Sequence, residues 1–127
     1  SLPDRQRLSM HMQLSSFVHG RKITVVPAPV PPRAVRIANC DLRGMSGYRD
    51  ILWEMRFRVP THYRLLGVVP SKDYFVGLVL AARSGIDWSV ECTEALRIYD
   101  EIRGAAQCAA ISAQSATDAF SNWRIPA

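Results

Sequence analysis

Residues 53–82 constrain the fold most, because their side chains alternate with a period of two and are broken only by short turn signals. Trp53, Met55, Phe57 and Val59 fall on one face, with Glu54, Arg56 and Arg58 on the other. That is the pattern of a strand with one buried side. "VPTH" reads as a turn, "YRLLGVV" as a second strand, "PSKD" as another turn and "YFVGLVLAA" as a third strand. The third strand is continuously apolar, which predicts a place in the sheet interior. Three successive strands on short turns form an antiparallel meander.

The flanking segments follow a helical period. "LPDRQRLSMHMQLSSFVHG" carries Pro3 and Asp4 at its start and Gly20 at its stop, as a helix would. Leu8, Leu14, Phe17 and Val18, extended by Met10 or Met12, are the expected apolar stripe. Pro27, Pro29, Pro31 and Pro32 lie close together and exclude helix, which predicts an extended arm over 21–38 with short strands "ITVV" and "AVRIA" at its ends. After Gly85, Trp88, Cys92, Ala95, Tyr99 and Ile102 recur at helical spacing. Asp87 suits the N-cap, and Glu94 pairs with Arg97 across one turn. Gly104 is expected to interrupt this helix, leaving 105–127 as a further helix or a tail. The expected architecture is one α+β domain over 1–127: an N-terminal helix, a mainly antiparallel sheet of three or more strands and a C-terminal helix.

A chain of 127 residues can bury a core without disulfides or metal. Cys40, Cys92 and Cys108 form no CxxC pair and have no histidine at ligand spacing, which predicts reduced thiols, no metal and a cytoplasmic location. No apolar run approaches the roughly 18 residues of a membrane span, and no signal peptide is evident. The chain opens on Ser1 rather than methionine, as a processed or truncated chain or a fragment would. Charge is unevenly placed. Residues 21–83 hold eleven Lys or Arg against four Asp or Glu, whereas 84–127 hold three against six. Only Lys22 and Lys72 among the 16 basic residues are lysine. Arginine's planar fork suits phosphate and base stacking, so the bias favours a polyanion, although a GC-rich genome also enriches arginine.

Glycine-rich phosphate loops, HExxH, GxSxG and paired strand carboxylates are all absent, and no cofactor is expected. His11 and His19 read as surface or helix-end residues. His62, in the turn beside Tyr63 and Arg64, could move protons near neutral pH or be merely solvated. Arg56 and Arg58 share a strand face, Arg64 starts the partner strand, and Arg83 closes the third. Like charges so close repel unless a carboxylate or bound anion compensates, and only Glu54 is near in sequence. The cluster is therefore a phosphate-gripping face or a solvated one with Glu54 pairing one arginine. Tyr48, Tyr63 and Tyr74 could stack on bases or simply pack.

The ordered motifs "LPDRQR" to "VHG", "LRGMSGYRDILWEMR", "YRLLGVV", "YFVGLVLAAR" and "EALRIYDEI", spanning about residues 2–103, resemble the RelE/ParE toxin superfamily and within it the HigB-like, phage-derived branch. The resemblance implies a prokaryotic or phage toxin that cuts mRNA on the ribosome without metal and is held by a cognate antitoxin. By position it assigns charge stabilisation to Arg56, Arg64 and Arg83, proton transfer to His62 and Tyr63, and RNA contacts to Arg58, Lys72, Arg43 and Arg49. A ParE-like toxin directed at a topoisomerase, or a catalytically silent module binding RNA or protein, would share the fold. The family's first strand has no room ahead of "SLPD", which suggests truncation. "LAARSG" offers Arg83 where relatives often carry two lysines.

Overall fold

A computed structural model of the chain describes residues 3–18, 20–29, 40–103 and 109–126. Helix α1, Asp4–Val18, is followed by strands β1 (Ile23–Val26), β2 (Leu42–Gly44), β3 (Trp53–Phe57), β4 (Tyr63–Ser71) and β5 (Tyr74–Ala82). Helix α2, Trp88–Arg103, leads to a short helix α3, Ala116–Ala119, and a final strand β6, Trp123–Arg124. The expected "AVRIA" strand, Pro31, Pro32, His19, Gly104 and Cys108 lie outside the described residues.

The meander forms as its alternation requires. β3 pairs antiparallel with β4, and β4 with β5. The sheet nevertheless grows to six strands in the order β5-β4-β3-β2-β1-β6, and β1 runs parallel to both β2 and β6. The protein is α+β with a mixed sheet, larger than the mainly antiparallel one expected. β5 is also an edge strand rather than an interior one. Its continuous apolarity comes from half-burial on both faces, since α2 covers one side and Phe75 packs into the core on the other.

The two faces bury different cores. One face packs Val25, Leu42, Trp53, Met55 and Phe57 against Met10 of α1 and against Ala113, Ala116, Ala119 and Phe120. The other packs Leu66 and Val68 against Cys92, Ala95 and Tyr99 of α2. Asp87 accepts a hydrogen bond from the Val90 amide at 3.2 Å, and Arg97 donates to Glu94 at 2.6 and 2.9 Å, as α2's sequence predicts. Ile102, by contrast, is exposed at the end of the expected stripe.

Two further expectations change. Of the expected α1 stripe, Leu14 and Met10 face inward, whereas Leu8, Met12 and Val18 are exposed and the unforeseen Gln6 is buried. Gln6 is buried because its side-chain oxygen accepts from the Thr61 amide at 3.0 Å and the Thr61 hydroxyl at 2.7 Å, anchoring the helix to the β3–β4 turn. Gly20 does end the helix region at φ +73°, as expected of a left-handed stop. The C-terminal region is not a tail either. Residues 109–126 cross back over the sheet, where Phe120 meets Trp53 edge to face at 5.2 Å. The Ala28 amide donates to the Ala113 carbonyl at 2.8 Å directly above Gly44, where a Cβ would lie 2.1 Å from that carbonyl oxygen.

Between β2 and β3 the backbone makes a left-handed turn, with Gly47, Tyr48, Arg49 and Asp50 all at φ between +51° and +79°. Three of these are not glycine, a conformation that costs about 1–2 kcal/mol per residue. The surroundings hold it. Asp50 donates its amide to Gly47 at 2.9 Å and accepts from the Ala113 amide at 2.7 Å, and Arg49 grips Asp100 of α2 at 2.9 and 3.0 Å.

Candidate functional site

The strand registers bring the arginines of the central segment to one end of one face. Arg43 lies opposite Glu54 across β2–β3, and Arg56 lies opposite Arg64 across β3–β4. Arg58 and Arg83 extend the same alternation just beyond β3 and β5, and the Arg83 amide donates to the His62 carbonyl at 3.0 Å. The cluster therefore follows from two facts of sequence, a spacing of two and a tight β3–β4 connection.

At its centre is a residue that a solvated surface would not contain. Glu54 is buried, with Oε1 3.2 Å from Arg56 Nε and 3.8 Å from Arg64 Nε. Burial pushes its carboxyl above the usual range, against the opposing pull of Arg56, Arg64, Arg43 and Arg83. Arg64 is buried too, and donates to the carbonyls of Tyr63 at 3.0 Å and Phe57 at 3.4 Å. Burial, then the neighbouring Arg56, lowers its pKa, and Glu54 offsets part of that. A guanidinium nonetheless stays charged at any pH at which the protein is folded. Arg58 donates to the Cys40 carbonyl, and Arg56 Nη1 lies 3.5 Å from Cys40 Sγ.

Arg43, Arg56, Arg64 and Arg83 thus surround one carboxylate, with Arg58 bonded to the Cys40 carbonyl beside them, leaving a surplus of positive charge. His62 is exposed at the rim of this field. Partial desolvation, then the charges of Arg64, Arg83, Arg58 and Arg56, hold its pKa below the ordinary value. Because the ring is solvent-exposed, the guanidinium field is what distinguishes it from a common surface histidine. The shift favours the neutral imidazole, the form that can accept a proton.

The remaining candidates sit elsewhere. Tyr63 points to the opposite face, half-buried against the first core. Tyr48 packs beside α2, and Tyr74 is exposed at the far end of β5, so none of the three tyrosines lines the arginine face. Lys72 occupies the turn at the other end of the β4–β5 hairpin. Arg49 is committed to Asp100 and lies 5.8 Å from the Tyr99 ring. Among the described residues, no group of three His, Cys, Asp or Glu side chains could hold a metal ion. No described helix is long and apolar enough to cross a membrane.

Sequence reasoning gave Glu54 one partner on a solvated face; the structure gives it two, and buries it. The available signal was its position between Trp53 and Met55 on a strand whose other face also needs covering, by α2. Cys40 was missed as an arginine anchor because its partners Arg56 and Arg58 lie 16 and 18 residues further on, beyond β2 and the left-handed turn, at a spacing no local pattern shows. Neither a scan of protein-family models nor searches of curated proteins and of solved structures return a match to this chain.

Proposed function

We propose that the arginine face binds the RNA backbone and that the protein is a RelE/HigB-like toxin, a metal-independent endoribonuclease acting on mRNA in the ribosome. The reading is carried by one observation: Arg43, Arg56, Arg64 and Arg83 surround a single buried carboxylate, with Arg58 and the exposed His62 imidazole at the rim of the cluster. A surplus of fixed cations calls for an anionic ligand, and a neutral base beside it suits proton abstraction.

In the proposed reaction, His62 accepts the proton of a ribose 2′-OH. The 2′ oxygen attacks the adjacent phosphorus, the bond to the 5′ oxygen breaks, and that oxygen takes a proton from solvent. Arg58 and Arg83 hold the non-bridging oxygens and stabilise the charge that builds there, with Arg56 behind them. Arg64 and Glu54 are positioning residues, buried and fixed by the sheet. A cognate antitoxin and a cytoplasmic setting belong to the same proposal, as does the assignment of the helix-sheet-helix arrangement to the RelE type.

The test is primer extension on translated mRNA after induced expression, comparing wild type with Arg83→Ala and His62→Ala. Both sites are exposed, so loss of cleavage is not confounded with loss of fold. New mRNA ends in the wild type that vanish in both variants support the reading. Growth arrest without mRNA cleavage points to a topoisomerase-directed toxin, and RNA binding without cleavage or arrest to a silent module. Either result overturns the nuclease assignment.

A further inference from the structure

A cavity of about 560 Å³ lies where the end of α1, the start of β1, the β4–β5 turn and the segment after α3 come together. That is within the usual size range of small-molecule sites. Its apolar walls are Leu14, Ile23, Phe75 and Phe120, all packed in the first core, so it opens on the face of the sheet opposite the arginines. Hydrogen bonds between these elements fix its shape. The Asn122 side-chain amide donates to the Gly20 carbonyl at 2.9 Å, the Ile23 amide to the Asn122 carbonyl at 3.2 Å and the Asp73 amide to the Ala119 carbonyl at 2.8 Å. A site held in this way loses little conformational freedom when a ligand enters.

Two side chains of opposite charge, Arg21 and Asp73, line the same cavity. They are not paired with each other, and Arg21 makes no ion pair with any described residue. Asp73 accepts from the Ser121 amide at 2.8 Å and from the Ser121 hydroxyl. A carboxylate offers about four lone-pair sites, so acceptor capacity remains. We infer that the cavity binds a small zwitterion with an aromatic body, of the class of a free aromatic amino acid, its carboxylate on Arg21, its ammonium on Asp73 and its ring against Phe75 and Phe120. The charges choose the class. A ligand with only an acidic group would leave Asp73 opposed, and one with only a basic group would leave Arg21 opposed. Phe75, Phe120 and the rim residue Tyr74 favour a ring over an aliphatic chain, because aromatic pairs gain beyond the area they bury.

The test is a nitrogen-15 NMR titration of the full chain with L-tryptophan, with indole-3-propionate, which lacks the ammonium, and with tryptamine, which lacks the carboxylate. RNA is absent and the arginine face is unaltered, so the result is independent of the RNA-binding reading. L-Tryptophan is expected to shift the amides of Arg21, Asp73 and Ser121 saturably at millimolar concentration and to bind at least about tenfold tighter than either analogue. Arg21→Ala should weaken L-tryptophan to a similar extent without weakening tryptamine. Val18→Trp, at an exposed position on the cavity rim, should fill the entrance and abolish binding with an unchanged circular dichroism spectrum. No saturable shift with L-tryptophan, equal binding of the three probes, or L-tryptophan binding undiminished in Arg21→Ala or in Val18→Trp overturns the inference.

Discussion

Glu54 shows how a single residue sets the character of a surface. It is buried between arginines that repel one another, so removing it leaves buried cations without a counter-charge. Glu54→Ala should cost about 3–5 kcal/mol in chemical denaturation, the usual penalty for breaking a buried pair. The pH dependence has a definite sign. Its folded-state pKa lies above the unfolded value, so its contribution is fully present below the unfolded pKa and is lost as pH rises through the folded one. Glu54→Gln should therefore lose less stability than wild type as pH rises above the ordinary carboxylate range, read in unfolding experiments across that rise. Gly44 is a second point of no tolerance. A methyl group there meets the Ala113 carbonyl and the Ala28 amide, both main-chain atoms, and Gly44→Ala should lose about 1–3 kcal/mol or force the C-terminal segment outward.

At the scale of elements, what was legible in the sequence depended on how local the determining interaction is. The meander, β1 and α2 were readable because periodicity and turn chemistry lie within each segment. The edge position of β5 was not, since an apolar run reads alike whether a helix or another strand covers it. Met10 and Leu14 of α1 were read as inward, but Gln6 was not, because it is buried through Thr61, 55 residues away, a partner that no local pattern shows. The alanine-rich stretch 109–126 looked featureless because its small residues are chosen for close approach. Its one large anchor, Phe120, should cost about 3–5 kcal/mol when cut to alanine, read as a lowered midpoint of thermal unfolding. Asp73 fastens the same stretch to the β4–β5 turn. Hydrogen bonds from the Ser121 hydroxyl and amide hold its carboxyl below the ordinary range, so the tie is intact above the unfolded pKa and fails as pH falls through the folded one. Ser121→Ala should reduce stability at neutral pH and leave it little changed in strong acid.

For the molecule as a whole, charge and topology act together. The arginine-rich end of the sheet gives the protein a directional field, so RNA binding should weaken with salt at a slope of about −0.7 per phosphate contacted on single strands. Arg58→Ala and Arg83→Ala should each flatten that slope by roughly one contact, whereas Lys72→Ala, at the far end of the hairpin, should leave it alone. The order of strands also has a temporal meaning. The pairs that assemble the arginine face join neighbours in sequence, whereas Ile23 of β1 meets Trp123 of β6 across a hundred residues. Local pairs close quickly and distant ones slowly. The hairpins of β3, β4 and β5 thus reach their register while β6 has yet to join β1. Amides of β4 should accordingly gain protection from hydrogen exchange before those of β6, and for that interval the chain carries an assembled cationic face on an unfinished sheet.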